Sequence, residues 1–173
     1  MSQPVPLVSD LSLAAIPSAA FWARCHTVDV LRRWDFPAEG TEVARLLVSE
    51  LATNAIEHAR PLGSPEAAQP APDVIHVRLW STPTGVVLLV GDNDPRPPTP
   101  QSPSDSALGG RGLLLTATMA TCWGYHPRSP HPGKFVWAEV PARPSATLSK
   151  PSYGQRESTP LLLGQVLTAL RDL

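Results

Sequence analysis

The segment SELATNAIEHA, residues 49–59, carries the first pair of side chains able to do chemistry. Glu50 and Asn54 are four residues apart, so on a helix they lie one turn apart on the same face. By the 100° step per residue, that face borders the apolar stripe of the segment. A carboxylate and an amide at the margin of a core can hold a metal ion or a water molecule over a pocket. A solvated helix edge with an incidental Glu–Asn pair explains the same pattern.

The segment VVLLVGDNDPRPP, residues 86–98, is an apolar run that ends in a polar cluster. If the run is a strand, it delivers Asp92 to the end of that strand, where binding groups commonly sit. A carboxylate there can accept a hydrogen bond from an exocyclic amine, such as that of adenine. Ordinary turn chemistry is the alternative, because Asn and Asp also bond their own backbone in turns.

The segment SALGGRGLLL, residues 106–115, places glycines directly before an apolar run of helical character. Gly109, Gly110 and Gly112 leave backbone amides free to cradle a phosphate at a helix N-terminus, and Arg111 adds positive charge. The spacing matches neither the P-loop nor the dinucleotide-binding glycine pattern. A flexible loop with a glycine-rich helix start remains the competing interpretation.

Prolines divide the chain into the elements that must position these residues. Of 21 prolines in 173 residues, most fall in a few clusters, and proline disrupts the interiors of helices and strands. The clusters therefore mark loops. The clearest of them lie at residues 61–72, 95–103 and 127–132.

The segments between these loops have helix or strand periodicity. Helices are predicted over about 18–34, 37–59 and 112–121, and strands over 73–81, 85–92, 121–126 and 133–140. An extra strand at 7–13 is compatible with the pattern. The apolar positions of the first helix are Phe21, Cys25, Val28 and Leu31, and those of the second are Ala44, Leu47, Val48, Leu51 and Ala55. This order predicts an α+β fold, with helices on one face of a mixed or antiparallel sheet.

Composition narrows the functional classes. The formal net charge is −1, which provides no broad cationic surface for nucleic acid. No run approaches the length of about 18 apolar residues that a membrane span needs. The N-terminus MSQPVPLVSD lacks the features of a signal peptide, and two cysteines are too few for a disulfide scaffold. We therefore expect a cytoplasmic protein that binds neither nucleic acid directly nor a membrane.

The last thirty residues differ from the rest of the chain. Residues 141–159 are polar and rich in proline and serine, as linkers are. Residues 159–173 predict an amphipathic helix whose apolar face needs a partner or a docking groove. That face consists of Leu161, Leu162, Val166, Leu167 and Leu170. We therefore expect a domain over residues 1–143, followed by a linker and C-terminal helix over 144–173.

Taken in order, the three polar motifs resemble those of the GHKL ATPases, the superfamily of gyrase, Hsp90 chaperones, histidine kinases and MutL. The resemblance spans about residues 12–140 and includes GGRGLLLTATMATCWGYHP and GKFVWAEV beside the motifs above. Within the superfamily, the chain is most similar to bacterial anti-sigma-factor serine kinases and their actinobacterial relatives. The resemblance implies a Bergerat-type ATP-binding α/β sandwich. One departure is Asn93-Asp94-Pro95, where relatives elsewhere in the superfamily carry glycines soon after the aspartate.

The resemblance also implies roles for particular residues. Asn54 would complete the coordination of Mg²⁺ on the ATP phosphates, Glu50 would be the general base, and Asp92 would bind the adenine amino group. Residues 95–108 would form a lid over the nucleotide. The hinge glycines Gly109, Gly110 and Gly112, with Arg111, would wrap the phosphates.

The implied function is an ATP-dependent serine/threonine kinase that acts as an anti-sigma factor. Its partners would be a sigma factor, an anti-sigma-factor antagonist that it phosphorylates, or both, and a homodimer is compatible with this interpretation. The alternative is a non-catalytic ATP-binding module that regulates transcription by holding a regulator. The presence of both Glu50 and Asn54 favours the kinase, since a degenerate pocket would often have lost one of them.

Overall fold

A computed structural model describes residues 6–58, 73–98 and 112–144 of the chain. Within them, helices and strands follow the predicted order, and the extra strand near the N-terminus is present. The elements are β1 (Val8–Ala14), α1 (Ala19–Arg33), α2 (Ala38–His58), β2 (Val74–Ser81), β3 (Gly85–Asp92), α3 (Gly112–Met119), β4 (Cys122–Pro127) and β5 (Lys134–Pro141). The predicted α+β class is confirmed.

The five described strands form one sheet in the order β1-β2-β3-β5-β4, and every neighbouring pair is antiparallel. The sheet is therefore antiparallel throughout, the second of the two arrangements that the sequence allowed. Hairpins join β2 to β3 and β4 to β5. In the first hairpin, Thr82 N–H donates to the Gly85 carbonyl at 2.9 Å. The apolar run in β3 is explained by its place at the centre of the sheet, between β2 and β5.

The core lies between the sheet and the helices. The apolar stripe predicted for α2 is confirmed: all five of its residues are at most 3% exposed. They belong to the same buried cluster as Val86, Leu88 and Val90, which alternate along one face of β3. Since β3 is the central strand, α2 is held firmly over the middle of the sheet.

The apolar face predicted for α1 is wrong in part. Phe21 is 50% exposed, whereas Leu31 of the predicted set is fully buried. Phe21 instead stands edge-to-face against Trp22, with the Arg24 guanidinium 5.9 Å from its ring. Small side chains let two helices approach closely, so α1 packs through a different set of residues. The buried residues of α1 are Ala19, Ala20, Ala23, Thr27, Val30 and Leu31.

The alternation predicted for β2 is confirmed. Ile75, Val77 and Leu79 belong to the core under the helices. The residues that alternate with these along β2 face away from the helices. We call that side of the sheet the outer face. A second apolar cluster lies there, made of Val87, Leu89 and Trp137, with Trp80 and Cys122 packed against it.

No helix in the described part of the chain combines the length and apolar character needed to cross a membrane.

Candidate functional site

The end of β3 places a carboxylate on the helix side of the sheet. Asp92 lies on the same face of β3 as Val86, Leu88 and Val90, which pack under the helices. It is only 2% exposed. The preceding residue must be small, because a Cβ on Gly91 would overlap the ring of Phe135 on the neighbouring strand. The strand therefore ends at Asp92, as predicted from the sequence, and the structure buries this residue between the sheet and the helices.

A buried lysine pairs with this aspartate. Lys134 Nζ lies 3.0 Å from Asp92 Oδ1, and it also donates to the Asp94 carbonyl at 3.0 Å. Both side chains of the ion pair are less than a tenth exposed. Burial raises the pKa of Asp92 above its ordinary value, while the hydrogen bond and the charge of Lys134 act in the opposite direction.

Sequence reasoning did not select Lys134, although a signal for it was present. The residue is one of only two lysines in the chain, and it stands at the start of the mostly apolar strand KFVWAEV. It lies directly opposite Asp92 in the β3–β5 ladder. A cation at a strand position that faces the core needs an anionic partner. The cross-strand register, which the sequence does not reveal, supplies it.

Turn chemistry also operates after β3, so the alternative interpretation of this motif is confirmed, whereas adenine binding by Asp92 stays a prediction. Asp94 N–H donates to Asp92 Oδ1 at 2.8 Å, as in an Asx turn. Asp94 in turn binds Arg96, whose guanidinium donates to both carboxylate oxygens, at 2.7 Å in the shortest of these bonds. Arg96 lowers the pKa of Asp94 to about 2. The turn thereby ties the start of the following loop to the site.

The second part of the site lies on α2. Glu50 and Asn54 are both half-buried and stand one turn apart, as predicted. Gly112, the first residue of α3, packs directly on this pair. A Cβ on Gly112 would lie 2.9 Å from Glu50 Oε2 and 3.2 Å from Asn54 Nδ2. The structure therefore brings three of the predicted residues together at the junction of α2 and α3.

Three predicted phosphate-binding residues, Gly109, Gly110 and Arg111, lie outside the described residues. So does most of the predicted lid, from residue 99 onward. The prediction for this loop thus stays a prediction.

The donor set fits a magnesium ion that is held mainly by phosphate and water. Within residues 6–58, 73–98 and 112–144, no group of three or more His, Cys, Asp or Glu side chains is arranged around a common metal position. The Glu50–Asn54 pair offers at most a carboxylate and an amide oxygen. Mg²⁺ in nucleotide sites is bound through one or two protein oxygens, since phosphates and waters complete the octahedron. A cavity lined by many protein ligands is not needed for this chemistry.

An antiparallel sheet with helices on one face, a core-facing aspartate at the end of the central strand and a Glu–Asn pair on the covering helix define the class of the GHKL ATPases. The sequence profile of the histidine kinase-like ATPase domain matches residues 14–138, well over half of the chain. The protein belongs to this family of ATP-binding domains. Among curated proteins, none matches the chain.

Proposed function

We propose that the protein is an ATP-dependent serine/threonine kinase that acts as an anti-sigma factor. It would sequester a sigma factor and phosphorylate the antagonist that releases it. The observation that carries the kinase part is the position of Glu50 and Asn54, half-buried on one face of α2 and in contact with the start of α3. The partner part follows the resemblance of the three motifs to anti-sigma-factor kinases.

In this proposal, different described residues would bind different parts of the nucleotide. Asp92 has its Oδ1 engaged by Lys134 and by the Asp94 N–H. Its second oxygen is the one we assign to the adenine amino group. Asn54 would supply an amide oxygen to Mg²⁺ on the phosphates. Gly112 would keep the space beside Glu50 and Asn54 free of any side chain.

Glu50 is assigned the role of general base. When bound, Mg-ATP supplies the phosphoryl group, and the cation offsets the charge on the phosphate oxygens. The Glu50 carboxylate would take the proton from the acceptor hydroxyl as that hydroxyl attacks. Because Glu50 and Asn54 lie on one rigid helix, the base and the metal ligand keep a fixed separation, which is what positioning catalysis requires.

One observation favours the alternative, a non-catalytic ATP-binding module. The carboxylate that would bind adenine is already paired with Lys134 and is almost completely buried. A buried carboxylate with one oxygen already engaged has only its second oxygen for a nucleotide, and this limited contact favours weak binding without turnover. The two functions differ in one measurable respect, which is transfer of phosphate to a protein.

The test combines calorimetry with a transfer assay on two single variants. Asn54→Ala should weaken the binding of Mg-ATP by about tenfold or more, because a hard cation loses an oxygen ligand. Glu50→Ala should bind Mg-ATP at least as well as the wild type, since it removes a negative charge near the phosphates. It should nevertheless lose transfer of labelled phosphate to candidate antagonists by roughly 10²–10⁴-fold.

Glu57→Ala is the matched control, since Glu57 is an exposed residue of the same helix. It should leave both measurements unchanged. Transfer at the wild-type rate by Glu50→Ala would show that Glu50 is not the base. If the wild type binds Mg-ATP but phosphorylates no antagonist, the non-catalytic module replaces the kinase.

A further inference from the structure

The outer face of the sheet carries buried apolar residues at its centre, next to the buried Arg78 and Glu139. Val87 is 3% exposed, Leu89 is 1% and Trp137 is 6%. An antiparallel sheet whose second face meets water shows polar residues there. The strand segment VVLLV is instead apolar on both of its faces, as is typical of a strand that is covered on both sides.

No element in residues 6–58, 73–98 or 112–144 covers this centre. The buried residues of the helices belong to the cluster on the opposite face, and the outer cluster contains strand residues only. The described helices therefore leave the centre of the outer face without a covering layer.

The chain leaves β5 at the end of the sheet that carries the turn between β2 and β3, where the Pro141 and Ala142 carbonyls lie against Gly40 of α2. Ala142 N–H donates to the Thr84 carbonyl at 3.0 Å, which holds the exit next to the turn between β2 and β3. At that end of the sheet, Val87 lies opposite Glu139 in the ladder. The described residues end at Pro144, and 29 residues (173 − 144) follow.

Residues 159–173 have the length and the apolar spacing of a helix that can cover the outer face. Fifteen residues of helix span about 22 Å at 1.5 Å per residue, close to the roughly 27 Å of the eight-residue strand β3. Leu162, Val166 and Leu170 recur every fourth residue and so line one side of such a helix. The linker before it is long enough to reach any point of the sheet.

We propose that residues 159–173 pack as a helix across the outer face and cover Val87, Leu89 and Trp137. The sheet then lies between two helical layers, and both faces of β3 are buried. This proposal does not depend on the kinase function, because the nucleotide residues lie on the other side of the sheet.

The test uses the full chain with Val166→Asp and, separately, Leu170→Asp. Each variant should raise the fluorescence of a dye that binds apolar surface by several-fold and shift tryptophan emission to longer wavelength. Thr168→Asp, on the opposite side of the predicted helix, is the matched control and should change neither signal. Adding a peptide of residues 159–173 to a variant should restore the wild-type signals, whereas the same peptide with Val166→Asp should not.

Milder changes, Val166→Ala and Leu170→Ala, keep the test valid if the aspartate variants lose their far-UV circular dichroism. Dye binding that is unchanged in all four variants would overturn the proposal. So would a wild-type dimer, seen by light scattering, whose dilution exposes the outer face while the tail variants behave like the wild type. In that case a second copy, and not the C-terminal helix, covers the sheet.

Discussion

Lys134 and burial act in opposite directions on the pKa of the aspartate at the end of β3. The two groups form a buried pair, and removing one member of such a pair leaves an uncompensated charge. Burial alone would favour the protonated form of Asp92. The ammonium of Lys134 favours the carboxylate, which is the form that accepts a hydrogen bond from an amine without competition from its own proton.

A Lys134→Met variant should therefore bind nucleotide with a shifted pH dependence. Burial raises the pKa of Asp92, and Lys134 opposes that increase. Without the lysine the pKa moves further up, so affinity for Mg-ATP should fall at a higher pH than in the wild type as the solution is acidified. Calorimetry from about pH 5 to about pH 8 measures this. Lys150→Met, at the only other lysine, is the control, and coincident profiles for Lys134→Met and wild type would contradict the assignment.

A side chain at position 112 is limited by space and not by backbone conformation, because Gly112 is helical. A Cβ at this position would lie 2.9 Å from Glu50 Oε2, 3.1 Å from Glu50 Cβ and 3.2 Å from Asn54 Nδ2, and the tightest of these contacts is with the movable end of a side chain. Gly112→Ala should thus keep the thermal midpoint close to that of the wild type while lowering phosphate transfer by about tenfold or more, since small displacements of catalytic groups are costly. Thr121→Ala, an exposed change just after the same helix, serves as the control. A fully active Gly112→Ala would mean that Glu50 does not act from this position.

At the scale of elements, the turn after β3 joins strand and loop through Asp94 and Arg96. The pKa of Asp94 is about 2, below the ordinary 3.8. A carboxyl whose pKa is lower in the folded state stabilises the fold above about pH 4, and this contribution is lost as the pH falls towards 2. The Asp94–Arg96 pair therefore stabilises the fold at neutral pH, and it no longer contributes to stability in strong acid.

Arg96→Gln should lower the free energy of unfolding at neutral pH, and the difference from the wild type should shrink between about pH 4 and about pH 2. Urea titrations at several pH values measure it. Arg45→Gln breaks the exposed Arg45–Glu42 pair of α2 and should have little effect, because surface pairs contribute little. A difference that stays constant down to pH 2 would show that Asp94 is not its source.

For the whole molecule, the sheet separates two surfaces. Asp92, Lys134 and the Glu50–Asn54 face of α2 lie on the helix side, while Val87, Leu89 and Trp137 lie on the outer face. A change on the outer face reaches the nucleotide site only through the strands. The sheet is thus able to carry a covering helix without contact between that helix and the nucleotide.

A chain that ends at Arg143 should bind Mg-ATP with an affinity within about twofold of the full chain. It should also be less stable, by roughly 1.5–3 kcal/mol for each large apolar side chain that loses its cover. Calorimetry and thermal unfolding measure the two effects. A truncated protein without secondary structure by circular dichroism would refute the separability of residues 144–173 from the domain.

Much of this architecture follows from local sequence. Proline clusters delimit the elements, and the 3.6-residue stripe of α2 and the alternation of β2 predict which sides are buried. The spacing of Glu50 and Asn54 and the strand-end position of Asp92 are likewise local properties, because they depend only on helix pitch and on the end of an apolar run. They were therefore predictable without any tertiary contact.

The remaining features depend on contacts between residues far apart in the chain. The β3–β5 register pairs Lys134 with Asp92, residues separated by more than forty positions, and the packing of α3 on α2 sets Gly112 against Glu50 and Asn54. The face of α1 was decided by close approach of a neighbouring helix, which left Phe21 exposed. Periodicity shows which residues share a face. Only the folded chain, in which each face must fit the shape and charge of what lies opposite, decides which partner it meets.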